Sequence, residues 1–417
     1  MTVKVRDFQP DDLDWVSKLR SLAFGAPAWA SMPLDGWRGF VAELPGGPCG
    51  FLRIYDYRQF FGGRAVPMGG IASVSVDPYA RGRGVASALL DTSLAALRSA
   101  GQCLSVLYPS VPPLYRGRGW EQAGVLEWLD LRTDALRDVG ANPLQLPVPI
   151  EPYGVGSTSV GSSGVGSSGV ELRPGTQDDL GAMLAAYREV ASGIDGMLDR
   201  DAAGFHALSL LTGQIRDLAV DEDGHVRGYL AAERSGGSDT LVVNEFVATD
   251  PAAATALLAS IGSWAGQLEK VSIRVLDSAG SRQLLPLPAH YVARLQPWML
   301  RVVDFPAAIA ARGWPAGTVL RPCTVDVEIV DEYAPWHAGR HRLVVTDGAV
   351  ACEPGGSGAV RLSARALGPW YAGAASTATL RRLGLLDGDP TAATVLDALV
   401  GGSAGSGGGG ARLADTF

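Results

Sequence analysis

The chain is poor in the residues that disulfides and metal centres need. It has four cysteines and five histidines in 417 residues. No two cysteines stand in a Cys-x-x-Cys pair, so a disulfide framework is not expected. The histidines His337 and His341 are four residues apart, but Pro335 and Gly339 disfavour the helix that a paired metal site would use. The sequence therefore predicts buried, apolar cysteines and no metal site.

Long hydrophobic runs and an excess of basic residues are also absent. No segment reaches the roughly 18 uninterrupted apolar residues of a membrane-spanning helix, and the first residues lack the apolar run of a signal peptide. We therefore expect a cytoplasmic protein that does not bind membranes. The formal net charge is −8, whereas proteins that bind nucleic acid usually carry a basic surface. Nucleic acid is consequently not an expected partner.

The length of the chain and two glycine-serine tracts predict several domains. A chain of 417 residues exceeds one ordinary hydrophobic core and suggests two or three domains. The tracts Gly154 to Gly169 and Gly401 to Gly410 contain few residues that could form a core, and they are predicted to be flexible. The first tract is expected to follow the end of the first domain.

An internal repeat follows the first tract. The pairs Leu172-Arg173 and Asp178-Asp179 correspond to Val5-Arg6 and Asp11-Asp12, each displaced by 167 residues. In both copies the aspartate pair precedes a helical pattern, which is typical of a strand, a capped turn and a first helix. The chain is therefore predicted to be internally duplicated.

The most informative segment of the sequence runs from Val74 to Ser87. An apolar strand there leads into a turn with two arginines and two glycines, and a helix is predicted from Ala88 to Ala100. Glycine removes side-chain bulk where backbone must approach a ligand, and the N-terminus of a helix attracts anions. The pattern is therefore typical of a turn that binds pyrophosphate. The predicted binding residues are Val74, Ser75, Val76, Arg81, Gly82, Arg83, Gly84, Val85, Ala86 and Ser87.

The spacing in this segment excludes two common phosphate motifs and matches a third. It has neither the three glycines of the dinucleotide fingerprint nor the Gly-Lys-Ser/Thr ending of a P-loop. Arg81, Gly84 and Ala86 instead match Arg/Gln-x-x-Gly-x-Gly/Ala, and the segment resembles the acetyl-CoA motif of the GNAT N-acetyltransferases. This resemblance implies acetyl-CoA as co-substrate. In the second copy neither arginine nor glycine follows Leu241 to Val247 directly, so that copy is not expected to hold CoA.

A third region, from Met299 onwards, does not repeat the first pattern. Short strands are predicted at Val325 to Val330 and at Arg342 to Val345. Apolar spacing predicts helices at Thr377 to Leu385 and at Ala392 to Val400. This region is therefore predicted to be an α+β unit.

Two tandem GNAT-like domains followed by this region resemble the Eis (enhanced intracellular survival) acetyltransferases of actinobacteria over essentially the whole chain. The resemblance implies an α/β and α+β fold with a sterol-carrier-like third domain, in a homohexamer built as a trimer of dimers. Both glycine-serine tracts look like insertions relative to that family. The residues that carry the resemblance beyond the CoA motif are Leu114 to Trp120, Met299 to Arg312, Pro335 to Arg340, Ala366 to Gly373 and Ala414 to Phe417.

On this interpretation the chain divides into four segments. Residues 1–150 are expected to form the catalytic GNAT domain that binds acetyl-CoA, and residues 151–170 a Gly/Ser-rich linker or insertion. Residues 171–298 are expected to form a degenerate GNAT-like domain. Residues 299–417 are expected to form the sterol-carrier-like domain, with a C-terminal tail that reaches the active site.

The resemblance also implies the reaction and its residues. Family members move acetyl from acetyl-CoA to amines of aminoglycosides and lysine side chains. Tyr115 matches the family's Leu/Ile-Tyr-x-x-x-Gly-aromatic segment, and a phenol with a pKa near 10 suits protonation of a leaving thiolate. Tyr115 is therefore the predicted general acid, and Ser110 resembles the family's CoA-contacting serine. The terminal carboxylate serves as the base in the family, and here it belongs to Phe417.

Three functions remain open on the sequence alone. The first is acetyl transfer to a small-molecule amine, such as an aminoglycoside or another polyamine. The second is acetylation of lysines on a partner protein, which would use the same site with a different rim. The third is a carrier that holds an apolar ligand in the third domain and uses the GNAT halves as scaffold. An intact CoA motif favours the first two, because a carrier would not need it.

Overall fold

The computed structural model describes residues 2–25, 35–137, 139, 169–211, 213–234, 239–277, 285, 291–315, 322–346, 348–401, 411–415 and 417. Apart from Gly169 and Gly401, the two glycine-serine tracts lie outside these ranges, as does most of the predicted linker 151–170. Within the described ranges no helix is long and apolar enough to cross a membrane.

The described residues form a mixture of strands and helices. The strands are β1 (Lys4–Asp7), β2 (Trp37–Leu44), β3 (Gly47–Phe61), β4 (Arg64–Val76), β5 (Leu104–Leu107), β6 (Glu121–Arg132), β7 (Val170–Pro174), β8 (Ile215–Asp221), β9 (Val226–Arg234), β10 (Thr240–Ala248), β11 (Lys270–Val275), β12 (Val292–Val302), β13 (Cys323–Val330), β14 (Gly339–Thr346), β15 (Ala349–Pro354), β16 (Val360–Ser363), β17 (Leu386–Gly388) and β18 (Ala411–Arg412). The α-helices are α1 (Leu13–Phe24), α2 (Val85–Ser99), α3 (Pro112–Arg116), α4 (Leu180–Ala191), α5 (Pro251–Gly262), α6 (Phe305–Ala311), α7 (Ala364–Tyr371), α8 (Thr377–Arg382) and α9 (Pro390–Gly401).

The chain folds into two compact units. The first unit comprises Met1–Leu126, Ala191–His206 and Gln296–Phe417, and the second comprises Glu127–Val190 and Ala207–Leu295. The chain passes from the first unit to the second within β6. The first unit therefore contains both the predicted CoA motif and the C-terminal residues.

The larger sheet of the first unit has the strand order β1-β2-β3-β4-β5-β12-β6. The neighbours from β1 to β4 are antiparallel, whereas β4 and β5 are parallel. A parallel pair needs a crossover connection, and α2 supplies it. The buried leucines Leu89, Leu90 and Leu94 of α2 pack with Leu52 and Ile54 of β3, so one face of the sheet is covered by this helix.

Helix α2 begins three residues earlier than predicted. It starts at Val85, because Gly84 adopts a left-handed conformation with φ of 80° and acts as the N-cap. The prediction from Ala88 to Ala100 was therefore wrong at its N-terminus. Val85, Ala86 and Ser87 belong to the first turn of the helix.

The second unit contains a sheet with the strand order β6-β11-β10-β9-β8-β7. Strand β6 contributes its C-terminal half to this sheet. Strands β10 and β11 are parallel, and the other neighbours are antiparallel. Helix α5 connects β10 to β11, and its residues Leu257, Leu258 and Ile261 are buried in the core of the unit.

The predicted duplication is confirmed at its start. Helices α1 and α4 are displaced by 167 residues at both ends. Arg6 pairs with Asp12 at 2.7 Å in the first copy, and Arg173 pairs with Asp179 at 2.6 Å in the second. In each copy the second aspartate of the pair also accepts a backbone N–H three residues earlier, at 2.8 Å. The same ion pair and capped turn therefore introduce the first helix of both copies.

The third region adds a smaller sheet to the first unit, with strand order β15-β14-β13-β16-β17. The strands predicted at Val325 to Val330 and Arg342 to Val345 are confirmed as parts of β13 and β14. The helix predicted at Thr377 to Leu385 ends at Arg382, since Gly384 has a φ of 69° and leaves the helical conformation. The helix predicted at Ala392 to Val400 is confirmed within α9.

The burial of the cysteines agrees with the prediction for two of the four. Cys49 and Cys103 are buried as predicted, whereas Cys323 and Cys352 are half-buried, and all four are free thiols. Burial raises the pKa of the Cys103 thiol to about 12. Because the thiolate is the reactive form, Cys103 is suited to packing and not to nucleophilic chemistry.

Candidate active site

The predicted CoA turn has the backbone geometry that a bound anion requires. Strand β4 ends at Val76, and the Asp77 carboxylate accepts the Tyr79 backbone N–H at 2.9 Å to form a short 3₁₀ turn. Gly82 and Gly84 follow with φ of 72° and 80°, which glycine adopts at little cost. These two glycines direct the chain into α2, whose first N–H groups have no partner within the helix.

The space in front of this turn is open. A Cβ atom placed on Gly82 or on Gly84 would meet no atom within 4 Å. Arg81 and Arg83 are exposed on either side of Gly82. The backbone N–H groups of the first turn of α2, the positive end of the helix and two guanidinium groups thus lie in one short segment, which suits a pyrophosphate.

We expect Gly84→Val to weaken CoA binding selectively. A branched residue at this φ costs about 1–2 kcal/mol in stability, and it displaces backbone donors that contribute about 1.5–3 kcal/mol each to a charged ligand. CoA affinity should fall about tenfold or more, as measured by calorimetric titration.

Gly101→Val is the matched control. Gly101 has a φ of 72°, a Cβ atom placed on it would meet no atom within 4 Å, and it follows the C-terminal end of α2. It should lower the melting temperature similarly without changing CoA affinity. Equal CoA affinity in the two variants would contradict a CoA site at this turn.

Strand β4 offers an open edge to a ligand. Among the described strands, β4 pairs with β5 from Met68 to Gly70, and β5 ends at Leu107 while β4 continues to Val76 beside β3. Ser73 has a positive φ of 55° at an irregularity of the β3–β4 pairing. Beyond Gly70 the two parallel strands therefore separate. The backbone of residues 74–76 is available to pair with an extended amide chain such as pantetheine.

Tyr115 lies at the C-terminal end of α3 and is only 3% exposed. Burial raises the pKa of its phenol, and a hydrogen bond with the Ser110 side chain lowers it, with a net rise. The structure therefore brings these two predicted residues together. The Tyr115 carbonyl accepts the backbone N–H groups of Arg118 at 2.9 Å and of Trp120 at 3.2 Å, so the turn after α3 fixes the position of the tyrosine.

The C-terminal tail is held against the first unit. Strand β18 lies parallel to β6, with Ala411 opposite Gly124 and Arg412 opposite Val125. A Cβ atom on Gly124 would lie 2.0 Å from the Ala411 carbonyl oxygen, so glycine is required for this approach. The Arg412 backbone N–H also donates to the carbonyl of Asp195 at 2.8 Å.

Further contacts hold the last residues of the tail. Arg200 donates to the Asp415 carboxylate at 2.8 Å in a buried ion pair. The Tyr108 hydroxyl donates to the carbonyl oxygen of Asp415 at 2.9 Å. Leu413 and Ala414 are 1% exposed. Backbone pairing, an ion pair and apolar burial therefore fix the path of the tail.

The ring of Phe417 lies where β4 and β5 separate. Its centroid is 5.2 Å from that of Tyr57, 5.9 Å from Tyr108 and 6.2 Å from Tyr55. A Cβ atom on Gly70, the last residue of β4 that pairs with β5, would lie 2.8 Å from this ring. The terminal residue therefore reaches the strand that carries the predicted cofactor residues.

Sequence reasoning missed Tyr55, Tyr57, Tyr108 and Arg200, whereas Asp415 lies within the tail segment Ala414 to Phe417 that it singled out. Tyr108 directly follows β5 and lies two residues before Ser110, and its position could have suggested a role. Tyr55 and Tyr57 are two residues apart on β3, so their side chains lie on the same face. From the sequence alone they could equally have been core residues. Arg200 is the residue that no sequence signal could have linked to the tail, because it lies 215 positions from Asp415.

We expect Arg200→Met to release the tail. The substitution leaves the Asp415 carboxylate without this cation, and loss of one member of a buried pair is strongly destabilising at that site. Turnover should fall about tenfold or more, with CoA affinity retained. The tail should become sensitive to carboxypeptidase.

Arg342→Met is the control, since Arg342 pairs with Asp326 at 2.8 Å on the exposed face of β13 and β14. It should change neither turnover nor carboxypeptidase digestion. An Arg200→Met protein with normal turnover would show that the ion pair does not position the tail.

In the second unit the helix that corresponds to α2 is α5, and the N-terminus of α5 has a different arrangement. The Asp250 carboxylate accepts the Ala253 backbone N–H at 2.8 Å and receives Arg227 Nε at 3.0 Å. A carboxylate of the chain itself thus occupies the helix N-terminus, where it would repel a phosphate. A cavity of 260 Å³ lies beside it, between β10 and β11. The expectation that the second copy does not hold CoA stays a prediction.

One group of possible metal ligands lies on the turn between β8 and β9. Asp221, Asp223 and His225 have ligand atoms within 4.8 Å of one another. However, the Asp221 carboxylate accepts the backbone N–H of Asp223 at 3.1 Å and of His225 at 2.8 Å. These bonds close the turn, which accounts for the clustering.

Comparison with known proteins agrees with this geometry. Residues 4–123 match the model of an acetyltransferase (GNAT) domain, residues 196–302 match a second acetyltransferase (GNAT) domain, and residues 305–405 match a sterol carrier protein domain. An uncharacterized N-acetyltransferase of Streptomyces avermitilis is 29% identical over 92% of this chain and 93% of its own.

Two solved structures are similar to the whole chain. The GCN5-related N-acetyltransferase of Kribbella flavida is 28% identical with a TM-score of 0.79, and each chain is covered completely. Eis1 of Mycobacterium abscessus is 20% identical with a TM-score of 0.72, also with complete coverage of both chains. At that identity, the likeness to Eis1 shows the fold alone.

The protein therefore consists of two acetyltransferase (GNAT) domains followed by a sterol-carrier-like domain. The predicted fold class is confirmed. The protein is an acetyltransferase enzyme, and the GNAT fold implies acetyl-CoA as its co-substrate.

Proposed function

We propose that the protein is an N-acetyltransferase of the Eis type. It moves acetyl from acetyl-CoA to a primary amine of an aminoglycoside, polyamine or lysine acceptor by direct attack. The observation that carries this proposal is the C-terminal tail, which brings Phe417 to Gly70 at the opening between β4 and β5. A terminal residue held at the edge of the cofactor strand is otherwise unexplained, because the tail adds nothing to the CoA turn itself.

The cofactor residues in this proposal are those of the glycine turn and the open strand edge. The turn and the first N–H groups of α2 bind the pyrophosphate, with Arg81 and Arg83 beside it. The backbone of Val74 and Val76 pairs with the pantetheine arm as an added strand. The thioester then lies near the separation of β4 and β5, where Ser110 contacts CoA.

The chemistry needs one acid and one proton acceptor. The amine nitrogen attacks the thioester carbonyl, the new C–N bond forms and the C–S bond breaks. The leaving thiolate takes a proton from Tyr115, whose raised pKa keeps the phenol protonated until the transition state. A terminal carboxylate has an ordinary pKa of about 3.5, too low for direct removal of an ammonium proton. The Phe417 carboxylate therefore acts by orienting the amine and a water that relays the ammonium proton to bulk solvent. Tyr115 regains its proton from solvent after the thiol has left.

The location, the oligomeric state and the domain roles in this proposal come from the resemblance to the Eis family. The protein works in the cytoplasm as a homohexamer, a trimer of dimers, on a small-molecule amine. Its catalytic domain spans 1–150 and its degenerate domain 171–298, and the sterol-carrier-like domain of 299–417 supplies the tail. Neither nucleic acid, membrane nor metal takes part.

The experiment that tests this function is the release of thiol from acetyl-CoA by the purified protein. Aminoglycosides, diamines and lysine peptides are compared with a reaction that lacks an acceptor, and CoA binding is measured by calorimetry. Amine-dependent release with a matching acetylated product would support the transferase. Absence of both release and CoA binding would contradict it and favour a carrier of apolar ligands in the third domain.

A further inference from the structure

A buried carboxylate holds the end of the helix that carries Tyr115. Helix α3 ends at Arg116, directly after Tyr115, and Glu121 is the first residue of β6. Oε1 of Glu121 accepts Arg116 Nε at 2.8 Å and the backbone N–H of Gln122 at 3.0 Å. The Glu121 carboxylate therefore ties the last residue of α3 to the start of β6.

The same carboxylate binds an arginine of the sterol-carrier-like domain. Arg365 lies in the first turn of α7, and its Nε and Nη2 donate to Glu121 Oε2 at 2.9 Å and 2.6 Å. The two oxygens of Glu121 thus accept from different elements, α3 on one side and α7 on the other. Charge-assisted hydrogen bonds are short and strong, so Arg365, Glu121 and Arg116 form a continuous link from α7 to the helix of Tyr115.

This link is charged, yet both of its arginines reach solvent. Burial raises the pKa of the Glu121 carboxyl, and hydrogen bonds from Arg365, the Gln122 N–H and Arg116 lower it, with a net fall. The carboxylate is consequently ionised at neutral pH. The side chains of Arg116 and Arg365 are 42% and 41% exposed, and ion pairs with such exposed partners add little to stability. The link is therefore better suited to fixing geometry than to holding the fold together.

A second contact fixes the middle of the turn between α3 and β6. Arg301 of β12 is fully buried, pairs with the buried Asp331, and donates from Nε to the Arg118 carbonyl at 2.9 Å. A Cβ atom on Gly119 would lie 2.7 Å from Arg301 Nε and 2.9 Å from the Cβ of Ala364. The turn is therefore closely packed against β12 and α7. Within this packing the Arg365 side chain can be changed without opening the buried core.

We propose that Arg365, acting through Glu121, is a positioning residue for Tyr115, so that the sterol-carrier-like domain contributes to acetyl transfer. This inference rests on the proposed role of Tyr115 as general acid. An acid must lie within hydrogen-bond reach of the atom that it protonates, and a small displacement of a catalytic group lowers the rate strongly. Helix α3 has only five residues, too few to be rigid by itself. The link from Arg365 supplies the missing constraint.

A double-mutant cycle separates positioning of Tyr115 from a general structural role. In the full-length protein, Arg365→Met should lower kcat for amine-dependent thiol release about tenfold or more. The KM for acetyl-CoA should stay within about twofold, because the glycine turn is unaffected. In the Tyr115→Phe background the same substitution should lower kcat less than about twofold, since no acid remains to be positioned. Arg365→Lys should restore part of kcat, because the charge is kept.

Arg342→Met is the control, since Arg342 lies in the same domain and pairs with a carboxylate at 2.8 Å. It should leave kcat unchanged in both backgrounds. Equal losses from Arg365→Met in the wild-type and Tyr115→Phe backgrounds would overturn the inference, as would a wild-type kcat in Arg365→Met alone. A wild-type kcat in Tyr115→Phe would instead show that the proposed acid is wrong.

A second measurement does not depend on acetyl transfer. In protein labelled with 3-fluorotyrosine, the ¹⁹F resonance that disappears in Tyr115→Phe belongs to Tyr115. Arg365→Met should shift or broaden this resonance, whereas Arg342→Met should not. An unchanged Tyr115 resonance in Arg365→Met would overturn the inference, even if no amine releases thiol and the proposed transfer itself fails.

Discussion

A protein extended by one alanine past Phe417 is expected to lose turnover by about 100-fold or more, since misplacement of a group that orients the reactants costs about 10²-fold. The extension moves the terminal carboxylate by one residue while the Phe417 ring keeps its contacts with Tyr57 and Tyr108. The glycine turn is unaffected, so acetyl-CoA affinity should change by less than about twofold. Single-turnover kinetics and calorimetric titration of CoA measure the two quantities.

Two further proteins make this experiment specific. A C-terminal amide removes the charge without adding bulk, and it should reduce turnover as the extension does. The same alanine added at the N-terminus should have no effect. Normal turnover in both C-terminal variants would remove the Phe417 carboxylate from the mechanism, and a loss in the extended protein alone would indicate steric exclusion of the acceptor.

The Tyr115→Phe protein is expected to show a fall in kcat of about 10²- to 10⁴-fold. The ring, which is buried, remains and fills the same space, so the free energy of unfolding and acetyl-CoA affinity should change little. An acid acts mainly in the transition state, and kcat should therefore fall while KM is retained. Tyr333→Phe, which also removes only a hydroxyl, is the control. Equal kcat for wild type and Tyr115→Phe would contradict the assignment.

The pH dependence offers a second readout for Tyr115. Burial raises the pKa of this phenol, so the folded protein holds the proton more tightly than the unfolded chain, whose tyrosines titrate near pH 10. The basic limb of kcat should consequently lie above pH 10 and should be missing in Tyr115→Phe. The corresponding contribution to stability is present below the unfolded pKa and is lost as pH rises through the folded pKa.

Local sequence patterns predicted the parts of the fold that depend on neighbouring residues. The ion pairs Arg6–Asp12 and Arg173–Asp179 span six positions each, and they were visible as a repeat. Gly82 and Gly84 indicated the anion turn because glycine is required where φ is positive. The start of α2 was missed by three residues, since the left-handed N-cap at Gly84 extends the helix into the turn.

The arrangement of the candidate site was decided by tertiary structure. Tyr108 lies 307 positions from Asp415 and Arg200 lies 215 positions away, so no local spacing relates them. The glycine tract before the tail also left open whether Phe417 could reach the site. Pairing of β18 with β6 and the buried Arg200–Asp415 pair fix the path of the tail in the fold.

The sequence by itself therefore determined the class of enzyme: a glycine turn before a helix, repeated strand and helix signals, and the Tyr115 segment all depend on residues close together in the chain. Only the tertiary structure decided what surrounds the reacting atoms. Tyr57, Arg200 and the tail belong to three separate segments of the first unit, and the contacts of the tail with both residues depend on long-range packing. The Arg200–Asp415 ion pair that holds the tail is a property of that packing, because electrostatic interactions act across space and not along the chain.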